Sequence, residues 1–226
     1  MIIFENSKIV AIATSRSRNS KIGKGKQVFI LDRTMHPSES RKSGNDAKVQ
    51  CKGCPLASYN GCYVMDMPLI SIYKRWQAGG YETLKFGTKA WNEFFSVPYV
   101  RLGAYGNPSC LPISMVASIS TLAERVTGYF HDWHLMTTDK ARSYGRFLMA
   151  STHPATYRAA KDIGLRTFTT GKMASVGSYG IECLADSKGM TCAECGLCDG
   201  TQRNNANRPD VWIDPHGFQT KKALLN

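Results

Sequence analysis

The chain has 226 residues, 42% of them hydrophobic and 10% aromatic, which supplies the apolar material for one packed domain and excludes a disordered polyelectrolyte. Lys and Arg outnumber Asp and Glu by 29 to 17, a formal charge of +12 that favours contact with a polyanion, nucleic acid being the usual one. The start lacks a basic segment followed by an apolar core, and no run of about 18 apolar residues occurs, so neither a signal peptide nor a membrane span is expected and the chain is assigned to the cytoplasm.

In chain order, Ile9-Val10-Ala11-Ile12-Ala13 reads as a strand, and residues 14–26 as a polar, basic loop. That loop is not a P-loop, because no G-x-x-x-x-G-K-[ST] string is present. Residues 28–31 form a second strand candidate, and 33–50, polar with Pro37 and Gly44, a long surface loop. Basic residues crowd this first part of the chain, and Arg16, Arg18, Lys21, Lys24, Lys26, Arg41 and Lys42 are its candidate nucleic-acid contacts, with Lys221 and Lys222 a second basic group at the far end. Helices are expected over 67–77, stopped by Gly79-Gly80, and over 83–95, interrupted near Gly87.

A more regular pattern follows: strand 97–102, helix 113–126, strand 127–131, strand 147–151, helix 155–163, strand 165–170 and strand 211–214. Such alternation predicts an α/β fold with a largely parallel sheet, and we expect an irregular or incomplete (β/α) barrel carrying cysteine-rich metal-binding loops. The expected organisation is a single domain over 1–226: a basic strand and loop region (1–50), a first cysteine loop (51–62), and an α/β core (97–218) holding a second cysteine loop (183–198). Arg101, Tyr129, His131, Ser151, His153, Thr169, Thr170 and His216 fall at or just past expected strand C-termini, the edge where parallel sheets bind ligands.

The eight cysteines carry the strongest chemical signal. Disulfide frameworks belong to small exported domains, and the spacing here points to metal instead. Cys183-x8-Cys192-x2-Cys195-x2-Cys198 puts three thiolates on one tight loop, with Cys183 as the fourth. Single zinc ions usually take two knuckles separated by a longer loop, whereas C-x2-C-x2-C is the spacing of bacterial ferredoxin segments, so a [4Fe-4S] cluster is favoured over zinc. Cys51-x2-Cys54-x7-Cys62 is a second set, for one or two clusters in all. Its fourth position is left to Cys110, a histidine, another group or an exogenous ligand; a zinc loop or packing thiols are the alternatives. Cys110 itself reads as a packed thiol. His131 and His153 are the candidate acids, bases or ligands at the strand ends, with Trp133 beside His131, although hydrogen bonding in a packed sheet edge accounts for His131 and Trp133 equally well and for His153 alone slightly better. Trp76, Trp91 and Trp212 read as core.

The ordered set Cys51-x2-Cys54-Pro55, Gly61-Cys62-Tyr63, Val100-Arg101-Leu102-Gly103, Gly106-Asn107-Pro108, Thr127-Gly128-Tyr129-x-His131-x-Trp133, Met149-Ala150-Ser151, the four later cysteines and His216-Gly217 resembles the bacteriophage "gene product 88" family over residues 50–218. The resemblance implies a phage origin, and with it the host-cell cytoplasm. A cysteine triplet ahead of a partial barrel also resembles radical S-adenosylmethionine enzymes in architecture, though those carry C-x3-C-x2-C, which the first set does not match. Three functions follow. The chain is an iron–sulfur protein that binds nucleic acid or nucleic-acid-handling machinery; or an iron–sulfur enzyme with an open cluster site; or an accessory or inhibitory protein that binds a host or phage protein through a fold stapled by metal.

Overall fold

The computed structural model describes residues 1–17, 19–59, 61–171, 180–202 and 208–214. Among them, nine strands build one sheet in the order β1-β2-β3-β4-β5-β6-β7-β9-β8. These are β1 (Ile2–Glu5), β2 (Ile9–Ala13), β3 (Lys26–Asp32), β4 (Tyr99–Tyr105), β5 (Arg125–Phe130), β6 (Met149–Thr152), β7 (Thr167–Thr170), β8 (Gly180–Glu182) and β9 (Asp210–Ile213). The first three pair antiparallel, and from β3 onward every pairing is parallel. The fold is therefore α/β as the alternation implies. The sheet is open, with β1 and β8 at its edges, so the barrel-like closure does not occur among these strands.

The helices are α1 (Pro37–Lys42), α2 (Asp66–Gln77), α3 (Lys89–Phe95), α4 (Ile113–Leu122), α5 (Thr138–Gly145), α6 (Pro154–Asp162) and two single turns, α7 (Leu184–Ser187) and α8 (Cys192–Cys195). None of the described helices is long and apolar enough to cross a membrane. The period-2 alternation of the strands sorts their side chains onto two faces. Val28, Ile30, Val100, Leu102, Val126, Phe130, Leu148 and Ala150 point to one face, where they pack with Trp91, Phe95, Val116, Ile119, Ala141 and Ala160 of α3 to α6. On the opposite face Val10, Ile12, Phe29, Leu31 and Tyr105 pack with Cys51, Ala57, Leu69 and Tyr73, under α2 and the first cysteine loop. Further along that same face, Met149 and Val211 pack with Cys198, beside Tyr129, Phe168, Cys183 and Leu197. One face thus carries the crossover helices and the other carries both cysteine segments.

Several boundaries differ from the sequence reading. The stretch 33–50 is not a plain surface loop: it forms α1 and buries Ser40, Arg41, Asp46 and Gln50. Residues 83–88 do not extend a helix; Thr83 bridges to Ile2, and the helix starts only after Thr88, whose side chain caps the Trp91 amide. The helix expected to run to 126 ends at Leu122, because β5 already begins at Arg125. Arg101 is the third residue of β4, not its end, since that strand continues through Gly103 to Tyr105.

Candidate metal centres

The first cysteine loop lies at the C-terminal edge of the parallel strands. Just past the end of β4, the Asn107 amide donates to the Gln50 carbonyl at 2.6 Å, and Asn107 Nδ2 donates to the Lys52 carbonyl at 3.2 Å. Gly53, with φ +77°, lies so close to the chain beyond β5 that a Cβ would meet the Asp132 Cα at 2.7 Å and the His131 carbonyl oxygen at 2.9 Å, so only glycine fits the turn between Cys51 and Cys54. Asp46, fully enclosed, fastens the other side: it accepts from the Ser58 amide at 3.0 Å and from the Tyr105 hydroxyl at 3.4 Å. Ser58 and Tyr59 both hold left-handed backbone (φ 57° and 63°), an arrangement of the kind that concentrates at functional loops.

Burial pushes all three thiols of this set up: Cys54 to about 11, and Cys51 and Cys62 in the same direction. After burial, the largest influence on Cys51 is the charge of Cys54, with Asp46 and Cys62 next, so the three side chains share one neighbourhood. Amides turn toward the sulfurs: Leu56 and Ala57 toward Cys54, and Val64 toward Cys62. Arg41 stands beside Cys62 with its guanidinium buried, donating to the Val64 carbonyl at 2.8 Å, ion-paired with Asp66 and lying 4.2 Å over the Tyr59 ring. It serves this loop and is no part of the basic surface.

The second set is gathered from two segments. Cys183 follows β8 and caps α7, its amide bonded to the Trp212 carbonyl at 2.8 Å and its sulfur approached by the Ala185 and Asp186 amides. Cys192 and Cys195 open and close α8, whose capping box joins Thr191 and Glu194 and whose left-handed C-cap is Gly196. Both Cys192 and Ala193 donate backbone bonds of 3.0 Å to the Lys21 and Ile22 carbonyls ahead of β3. Burial pushes Cys198 up to about 12; the Tyr129 hydroxyl, donating to its sulfur, opposes this, and the charges of Cys183, Cys192 and Cys195 add to it. Cys198 is therefore a neighbour of the other three, and none of the four is in a disulfide.

Arginines hold this loop by its carbonyls. Arg125 donates to those of Ala193 (2.6 Å) and Glu194, Arg166 to those of Leu197, Asp199 and Pro209, and Arg208 to that of Gly196. The Asp199 carboxylate receives both Arg166 and Arg208. At the loop's end Gly200 presses on the Arg146–Phe147 backbone, where a Cβ would approach within 2.3 Å. No group of three or more His, Cys, Asp or Glu side chains among the described residues is already drawn together around the position of a single metal ion.

The remaining candidates separate. His131 keeps its Nδ1 buried without a hydrogen-bond partner, and burial pulls its pKa down to about 4 against a smaller opposing effect of Asp132. His153 is the N-cap of α6, its amide donating to Thr156 Oγ1 at 3.1 Å. No hydrogen bond or ring contact joins the two histidines among the described residues, and His216 lies outside them. Trp133 is a core side chain, its indole donating to the Ser151 carbonyl at 2.9 Å. Cys110 packs as a thiol, pushed up to about 12 by burial, its sulfur 3.8 Å from the Val49 carbonyl oxygen. Of the basic residues, Arg16, Lys21, Lys24 and Lys42 are exposed, and Lys21 pairs with Asp186 of α7 at 3.6 Å. Lys26 lies 3.4 Å over the Phe94 ring; Arg18, Lys221 and Lys222 fall outside the described residues.

Compared with protein-family models, curated proteins and solved structures, the chain has no match.

Proposed function

We propose that this chain is a phage-encoded iron–sulfur protein that engages nucleic acid, or the machinery that handles it, through the exposed part of its basic N-terminal loop. The observation that carries the reading is the second cysteine set: four cysteines outside any disulfide, with Cys183 and Cys198 packed on one sheet face, backbone amides approaching Cys183 and a tyrosine hydroxyl donating to Cys198. Hydrogen bonds to the sulfurs are among the features by which a protein tunes a bound cluster. No group of three or more His, Cys, Asp or Glu side chains among the described residues is drawn together about a single ion position. The preference for a cubane over zinc rests on the C-x2-C-x2-C spacing, which puts three thiolates on one short loop. Lys21, in the basic loop, is tied to α7 and the chain after it, so the polyanion-binding surface and the cluster loop are neighbours.

A second reading is favoured by the position of the first set. Three thiols at the C-terminal edge of a parallel sheet, where such folds bind substrates, suit a cluster with one iron open to a ligand, and hence an iron–sulfur enzyme. A zinc-stapled accessory protein is the remaining possibility.

Anaerobic purification with absorption spectroscopy and iron, sulfide and zinc analysis tests the proposal. A broad shoulder near about 400 nm with matched iron and sulfide supports it; about eight irons per chain means both sets are filled, and about four means one. Zinc without sulfide sinks it. If S-adenosylmethionine perturbs the spectrum of the reduced protein, the second reading displaces the first.

A further inference from the structure

Tyr63 is an aromatic ring held in the open. It is 52% exposed, and Met65 and Met67 after it are 71% and 69% exposed. The residues between them are anchored. Val64 packs on the core beneath the first cysteine loop and its carbonyl accepts from Arg41 at 2.8 Å, while Asp66 is ion-paired with the same arginine. The segment cannot turn its apolar side chains inward without giving up those contacts.

The ring is also held at its tip. Arg101 Nη2 donates to the Tyr63 hydroxyl at 3.0 Å, in a bond open to solvent. The guanidinium lies 5.5 Å from the ring centre of Tyr129, which is stacked on Phe168 with ring centres 4.3 Å apart. Val100 and Leu102 face the crossover helices, so Arg101 stands on the opposite face of the sheet, with Gln27 beside it in register. Gln27 Nε2 donates to Ser17 Oγ at 2.9 Å, which brings the loop carrying the exposed Arg16, Lys21 and Lys24 to Arg101's end of the strand. Arg16, Lys24 and Arg101 are in no ion pair among the described residues, so their charge is available to a polyanion.

We propose that Tyr63 is a stacking platform for unpaired bases, and that the nucleic acid this chain binds is a single strand whose phosphates run from Arg101 to the basic loop. The inference rests on the nucleic-acid part of the reading above and needs neither cysteine set to be filled. Single-strand binders combine a cationic track for the backbone with exposed aromatic rings on which bases stack. A single strand offers the faces of its bases to such a ring, whereas a duplex has already used them in its own stack. A protein partner accounts for the apolar side chains of Tyr63, Met65 and Met67 but not for the unpaired cations beside them.

Fluorescence anisotropy of the full chain tests this, with labelled oligothymidylate, oligouridylate of the same length and a DNA duplex at several salt concentrations. At least one of the single strands is expected to bind more tightly than the duplex, and the tighter of the two names the sugar. Tyr63→Leu is expected to weaken single-strand binding about 5- to 150-fold, the loss of one stacked base, with the salt slope unchanged because no phosphate contact is removed. Tyr63→Phe keeps the ring and loses only the bond from Arg101, so it should retain most of the affinity. Light-induced cross-linking of an oligonucleotide carrying 5-bromouracil, mapped by mass spectrometry, should mark residue 63 in the unmutated chain, which keeps the test standing if a variant misfolds. Equal binding of duplex and single strands, with no loss in Tyr63→Leu, overturns the proposal and leaves the nucleic-acid reading intact. Absence of salt-dependent binding to all three overturns both, and the exposed side chains then belong to a protein interface.

Discussion

Asn107 donates from its side-chain amide to Asp132 Oδ1 at 2.8 Å, linking the chain just beyond β4 to the chain just beyond β5. The same nitrogen reaches the Lys52 carbonyl, and Ser109 Oγ meets the same carboxylate oxygen at 2.6 Å. One buried amide therefore positions the turn between Cys51 and Cys54 on the sheet edge. Asn107→Ala removes two donated bonds and leaves the Lys52 carbonyl unmet, which is expected to cost about 1–3 kcal/mol. Asn107→Asp is expected to cost more, since it replaces a donor with an acceptor facing Asp132. Urea unfolding measures the stability. Metal analysis should show loss confined to the first set, approaching that of a Cys51→Ser variant; an undiminished metal content would show that this amide does not position the loop.

Asp199 is the shared counter-ion of Arg166 and Arg208 beneath the second cysteine loop. Removing one partner from a buried ion pair usually costs about 3–5 kcal/mol, because the charge left behind is stranded. Asp199→Ala strands Arg166 in the interior and loosens Arg208, which also holds the Gly196 carbonyl. The expected result is a lower unfolding midpoint together with reduced metal in the second set. Asp199→Asn, which keeps an acceptor for one guanidinium, should be intermediate. If both variants unfold like the wild type, the arginines do not depend on this carboxylate.

His131 makes stability fall on the acid side. Its pKa is held down at about 4 chiefly by burial, while in the unfolded chain it titrates near about 6.5. Above about 6.5 neither state binds the proton. Between that value and about 4 only the unfolded state does, so stability drops as the pH falls through this window and the loss is complete below it. The interval corresponds to at most about 3 kcal/mol. Comparing denaturant midpoints at neutral pH and near the foot of the window should show a smaller acid loss in His131→Gln than in the wild type, and equal losses would count against a buried neutral imidazole.

The parts of this fold that were legible in the sequence are those whose pattern is local. The helix over Asp66–Gln77 and the strand–helix–strand run from Met149 to Thr170 match their expected positions closely, because apolar spacing and glycine stops act within a few residues. The two cysteine groupings were legible too, as spacings. Their placement on one sheet face was not, since it depends on which way the strands alternate. Arg41 illustrates the limit: in a run of basic residues it looks like surface, and only the return of the chain at Val64 and Asp66 makes it interior. Arg101 was misplaced for a related reason. A glycine at Gly103 reads as a strand end, yet with φ +68° it lets β4 continue to Tyr105. The helix over Thr138–Gly145 is short and mostly polar, so it gave no signal strong enough to read.

The basic loop should bind polyanions through only some of its cations. Arg16, Lys21 and Lys24 are exposed, whereas Arg41 is enclosed and paired. Each phosphate contact removed is expected to reduce the slope of log K against log salt by about 0.9 on duplex DNA or about 0.7 on a single strand. Arg16→Gln and Lys24→Gln should therefore each weaken retention on nucleic acid by flattening the salt dependence, with the unfolding midpoint unchanged. Lys21→Gln should do the same and also release the contact to Asp186, so its effect is expected to depend on whether the second centre is loaded. Arg41→Gln should behave in the opposite sense: a loss of stability from the uncompensated Asp66 and the displaced Val64 carbonyl, with no change in the salt slope of whatever protein remains folded. Fluorescence anisotropy with a labelled oligonucleotide at several salt concentrations, alongside unfolding curves for each variant, separates the two classes. Salt slopes that are flat in the wild type would mean that this surface meets a protein instead of a nucleic acid.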